Sequence, residues 1–213
     1  MKRFGLFDKI FSQGLYLSLL NLDSDTDSDT DVIQCVKEIG DIIAEDKDLE
    51  TSISLLFSDV NWRPHLVAAV AVLLTSPSER NMNDLWDAFD KGSWVSPQFA
   101  ATASLRDYKF KNRLVDRVKN RCALMPSELS LLSPLERHSA AGPCGDYQRV
   151  CKNMASLISL AETISDLDPG VKDELESEDV QDMLKQDVDD SGDRALRWLS
   201  DIRKILDKYW ISK

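Results

Sequence analysis

A chain of 213 residues, 43% hydrophobic and 30% charged, holds enough apolar material for one large or two small globular domains. Its 8 glycines and 7 prolines are too few for an all-β protein, which turns about every ten residues, so helix is favoured. The formal net charge of -11 repels phosphate backbones and anionic lipid; it disfavours nucleic acid and suits solubility or a basic protein partner.

In chain order, Phe4, Phe7, Ile10, Phe11 and Leu15 predict one apolar face of a first helix within residues 1–22. Such a face closes the end of a core or, with more cationic residues than are present, anchors at a membrane surface. Asp8, Lys9 and Gln13 interrupt the segment, so it does not read as a secretion signal, and no run of about 18 apolar residues follows anywhere. Residues 23–31 alternate Asp with Ser and Thr, and read as a solvated acidic linker because five aspartates cannot be desolvated together.

A helix then starts near Val32, capped by Thr30 or Asp31, with Val32, Val36, Ile39 and Ile43 at helical period. A short helix over 49–57 precedes one opened by Asn61 and Pro64, whose residues Leu66 to Leu74 are apolar almost all round, as in a central helix. Residues 83–91 turn Leu85, Trp86 and Phe89 inward before Gly92, and Pro97 opens the helix through Leu105. Further helices are expected over 108–124, 147–167, the strongly acidic 171–188, and 192–210, where Ala195, Leu199, Ile202, Leu206 and Tyr209 form a packing seam. Residues 125–146, with Pro126, Pro134 and Pro143, read as an irregular connection, and no segment reads as a strand.

Residues 56–69 can be laid on 89–101 with a one-residue slip between the Trp and the Pro. Each copy has an apolar helix end, a turn carrying Trp62 or Trp94, a Pro opening the next helix, and an Ala-Ala face. Pro64 and Pro97 stand 33 residues apart, within the range of helix-pair repeats. On these residues the chain resembles HEAT-like α-helical repeat proteins over about residues 49–106. The resemblance implies an all-α fold: a right-handed stack of antiparallel helix pairs (an α-α superhelix), with capping helices at both ends and a partner held along a repeat edge. A helix pair cannot bury its own apolar face, so neighbours must stack. Trp62, Arg63, His65, Trp94 and Gln98 fall at the equivalent turns. Trp and Arg are residue types enriched in binding hot spots; the alternative is that each Trp plugs a gap between helices.

Seven cations, Arg106 to Arg121, stand against Asp107 and Asp116, and Lys109, Arg113 and Arg117 share a helical face at four-residue steps. That face could dock an acidic protein or nucleic acid. The favoured reading is an intramolecular or oligomer contact with the acidic 171–188 helix, or simply a solvated face. The aspartates of 23–31 invite a calcium reading, but Val32 stands where an EF-hand loop turns on Gly. Cys144, near His138 and Cys151, invites a thiol-enzyme or zinc reading, although the spacings fit no usual zinc set. No Gly-rich phosphate loop, G-x-S-x-G or H-E-x-x-H occurs.

The expectation is one helical domain over residues 1–213, without cofactor or metal, in a reducing cytoplasm where Cys35 and Cys122 act as small hydrophobes. Its expected work is non-enzymatic protein binding. Two further protein-binding roles fit the composition: an immunity or inhibitor-like protein against a basic toxin, and an oligomeric adaptor using the 192–210 seam.

Overall fold

A computed structural model of the chain describes residues 3–20, 22, 29–122, 146–167 and 169–209. Among them the protein is all-helical, with no strand. The elements are α1 (Asp8–Ser12), α2 (Asp29–Glu45), α3 (Leu49–Phe57), α4 (Trp62–Leu74), α5 (Glu79–Asp90), α6 (Ser96–Arg106), α7 (Phe110–Lys119), α8 (Asp146–Ala161), α9 (Pro169–Leu175), α10 (Glu178–Lys185) and α11 (Ser191–Tyr209). Two 3-10 turns, Gly5–Phe7 and Leu15–Leu19, flank α1.

Helices α4, α6 and α8 form a middle row, each packed on the next. On one side α3 packs on α4, α5 on α3 and α6, and α7 on α6 and α8. On the other, α2 covers α4, and α11 lies along both α6 and α8. This double cover explains why α4 is buried at every position from Pro64 to Leu74 and α6 from Ser96 to Ala103. An apolar helix of that kind is stable only where each face meets another element. The small residues Ala68, Ala69, Ala100 and Ala101 are fully buried, and they let backbones approach closely in the middle row.

Local chemistry sets the boundaries. Asn61 caps α4 by accepting the Arg63 N–H at 3.0 Å, and Ser78 caps α5 by accepting the Asn81 N–H at 3.2 Å. Gly92 takes φ 79, the left-handed residue just past a helix end, which only Gly adopts freely.

Several expected elements differ. The first helix is three short pieces, because Gly5 and Gly14 take positive φ (62 and 71) and bend the chain around Phe7, Ile10 and Leu19, which are buried. Helix α2 starts at Asp29, so part of the expected linker is its first turn. The expected 108–124 helix spans only Phe110–Lys119: Asp107 accepts the Lys109 N–H at 2.8 Å ahead of it, and Arg121 and Cys122 leave the helical region behind it. The acidic 171–188 helix is two helices, since Ser177 is extended (ψ 146) and its hydroxyl donates to the Glu174 carbonyl. The buried stripe of α11 is wider than the expected seam, taking in Trp198 and Ile205; the Tyr209 side chain lies outside the described residues. The 125–145 connection, most of the acidic linker, His138 and Cys144 also lie outside them.

Candidate functional site

The turns before α4 and α6 meet. Trp62 and Trp94 lie with ring centroids 5.0 Å apart, tilted by 56°. Trp62 is the first residue of α4, and Trp94 sits in the turn that follows Gly92, so both rings stand at helix-start corners. Trp94 remains 44% exposed, although such a ring gains most by burial. With Val60, Asn61, Arg63, His65 and Ser93 the two rings line a recess of about 250 Å³.

A row of rings leads away from this corner: Tyr16 at 6.1 Å from Trp62, Phe11 at 5.9 Å from Tyr16, and Phe4 at 5.4 Å from Phe11. Cations border the row. The Arg63 guanidinium lies 5.0 Å from the Trp62 centroid and 5.9 Å from that of Tyr16, and its Nε donates to the Tyr16 hydroxyl at 3.1 Å. The Lys152 ammonium stands 6.0 Å from the Trp94 centroid and donates to the Trp94 carbonyl at 2.7 Å. Burial pulls Lys152 down to about 8, with Asp189 at 3.8 Å opposing that shift. Tyr16 and Lys152 are members of the corner that sequence reasoning missed.

His65 and Gln98 belong to the corner's foundation. The buried His65 has Nε2 2.6 Å from the Asp59 carbonyl and Nδ1 2.8 Å from Ser93 Oγ. A carbonyl only accepts, so Nε2 carries the proton and Nδ1 accepts from the Ser93 hydroxyl. The imidazole thus ties the turn before α4 to the turn before α6, and burial holds its pKa below the ordinary value. Gln98 is 1% exposed; its Nε2 donates to the Leu20 carbonyl at 3.2 Å.

Lys109, the N-cap of α7, forms a separate face with Arg113 and Arg117 of that helix, and each is matched within the chain. Lys109 pairs with Glu79, which raises the lysine and lowers the carboxyl through their hydrogen bond. Arg113 contacts Asp107 at 3.2 Å and donates to Asn83 at 2.8 Å. Arg117 grips Asp90 with two nitrogens and lies 4.1 Å over the Trp86 ring. The expected intramolecular partner was the acidic 171–188 segment. The structure corrects this for the three residues: Glu79, Asn83 and Asp90 of α5 meet Lys109, Arg113 and Arg117, whereas α9 of the acidic segment packs on α7 and its Glu174 pairs with Arg121.

Among the described residues no cluster of three or more His, Cys, Asp or Glu could hold a metal, and no helix is long and apolar enough to cross a membrane. Burial pushes the Cys35 and Cys122 thiols up to about 12, which makes them poor nucleophiles at neutral pH. Comparison of the chain with protein-family models, curated proteins and solved structures finds no match.

Proposed function

We propose that the chain is a non-enzymatic protein-binding module, a HEAT-like stack of helical hairpins that holds a protein partner at the Trp62–Trp94 corner. The observation that carries the reading is the exposure of Trp94, 44% open on a neighbouring tryptophan at the mouth of an apolar recess. Large rings kept at the surface beside an arginine are the composition of an interface hot spot. The alternating contacts of α3, α4, α5 and α6 support the hairpin stack, since each pair packs on the next. Burial of Cys35 and Cys122 as thiols suits a reducing cytoplasm.

The test is capture from an extract of the native cell, comparing immobilised wild type with Trp94→Ala. Proteins retained by the wild type and lost with Trp94→Ala support the reading. Identical sets on both baits overturn it.

A further inference from the structure

The Arg63 side chain is held in place, yet no carboxylate among the described residues neutralises it. Its Nε donates to Tyr16 and its Nη1 lies 3.4 Å from Asn61 Oδ1, both neutral acceptors, while its flat face rests over two rings. Among the described residues no carboxylate lies at ion-pair distance from it, in a chain with 37 carboxylates against 26 lysines and arginines. The carboxylate nearest in sequence, Asp59, is engaged elsewhere: Oδ1 accepts the Asn61 N–H at 2.8 Å and Oδ2 pairs with Arg3. Arg117 shows the contrast, with its guanidinium held bidentate on Asp90. Immobilising an arginine sacrifices rotamer entropy, and its planar fork suits a carboxylate.

The neighbouring recess is small. At about 250 Å³ it is below the usual size of a small-molecule site, roughly 300–1,000 Å³, and matches one large side chain. Trp62 and Trp94 present aromatic walls to whatever enters. Lys152, 6.0 Å from the Trp94 centroid, is buried and faces Asp189 at 3.8 Å, which leaves Arg63 as the cation open to a partner's charge. The net charge of -11 does not oppose this at close range, because charges beyond about 8 Å are largely screened at physiological salt.

We infer that the corner takes an acidic-apolar segment of a protein partner, with one large apolar side chain in the recess against the Trp62–Trp94 pair and an adjacent carboxylate on Arg63. This rests on the reading of the corner as a protein-binding site and adds the chemistry of what it binds. A row of rings also stacks single-stranded nucleic acid, but that occupant needs a cationic groove along its phosphates, and of the cations beside these rings Arg3 pairs with Asp59 and Lys152 faces Asp189.

The experiment uses the full chain on an array of twelve-residue Gly/Ser peptides carrying Asp-Phe, Asn-Phe, Lys-Phe or Asp-Ala at the centre, with oligothymidylate alongside. The wild type should retain Asp-Phe about ten-fold better than Asn-Phe, with Lys-Phe and Asp-Ala weaker still. Arg63→Glu should invert the order of Asp-Phe and Lys-Phe. Arg63→Gln, which keeps a polar group against Asn61 and Tyr16, should erase the difference between Asp-Phe and Asn-Phe even if Arg63→Glu folds poorly. Equal retention of all charges, an order untouched by Arg63→Gln, retention of oligothymidylate alone, or no retention at all overturns the inference. The two readings separate cleanly. Trp94-dependent capture from extract with a charge-blind array removes the carboxylate chemistry and leaves the binding corner; capture independent of Trp94 removes both.

Discussion

Trp198 Nε1 donates to the Leu19 carbonyl at 2.9 Å, joining residues 179 positions apart. Gln98 Nε2 holds the next carbonyl, that of Leu20, so α6 and α11 together clamp the end of the second 3-10 turn. The segment that carries Tyr16 to Trp62 is positioned from the far end of the chain. Trp198→Phe removes the donor together with part of a buried bicyclic ring, and should lower stability by about 2–4 kcal/mol. Urea unfolding checks this. A midpoint unchanged from wild type would mean that the Leu19 carbonyl finds another donor.

His65 gives the stability a pH signature. The unfolded imidazole takes a proton near its ordinary 6.5, whereas the folded one, buried between Asp59 and Ser93, resists until lower pH. The unfolded state therefore binds more protons in that window, and stability is full above pH 6.5 and falls as pH drops below it. The limiting slope is about 1.4 kcal/mol per pH unit. Melting temperatures between pH 7.5 and about 5.5, above the range where carboxylates titrate, should decline for the wild type and stay flatter for His65→Gln.

Asp107 concentrates three donors at the start of α7. Its Oδ2 accepts Trp86 Nε1 at 2.7 Å and faces Arg113 Nε at 3.2 Å, and its Oδ1 accepts the Lys109 N–H. Asp107 is 6% exposed, so Asp107→Ala leaves a buried indole donor and a guanidinium without their acceptor. A loss of about 3–5 kcal/mol is expected in chemical denaturation, against well under 1 kcal/mol for removing the exposed Lys185–Asp182 pair.

The order of helices was legible in the sequence because apolar spacing and caps are local. Leu66 to Leu74 announce a central helix, and the Trp-Pro corners announce a hairpin turn. Tyr16 was not legible as a member of the corner. Its contact with Trp62 depends on glycine-directed bends and on clamps from Gln98 and Trp198, none of which leaves a periodic trace. The matching of Arg117 to Asp90 and Lys109 to Glu79 was hidden for a similar reason: charge spacing on α7 shows which cations share a face, not which helix lies opposite. His65 and Gln98 were read from their positions at the turns, and only the fold shows His65 bonded at both ring nitrogens and Gln98 held through its amide nitrogen.

Gly192 lets α11 start close against α8. A Cβ there would overlap Ser159 Oγ and stand 3.1 Å from the Ala155 carbonyl oxygen. Gly192→Ala gains helix propensity yet crowds the interface, and a net loss of about 1–2 kcal/mol is expected. Calorimetry of this variant beside Ser159→Ala/Gly192→Ala, in which the overlapping hydroxyl is gone, should show partial recovery in the double variant.

The account turns on Trp94 being a ledge for a partner and not a plug between helices, and urea unfolding of Trp94→Ala tests that most directly. A ring 44% open to solvent, whose backbone carbonyl keeps Lys152 in either variant, should cost roughly 1–2 kcal/mol on truncation. Trp86→Ala, at 1% exposure and with its indole bonded to Asp107, should cost about 4 kcal/mol or more in the same experiment. Equal losses for the two variants would contradict the account.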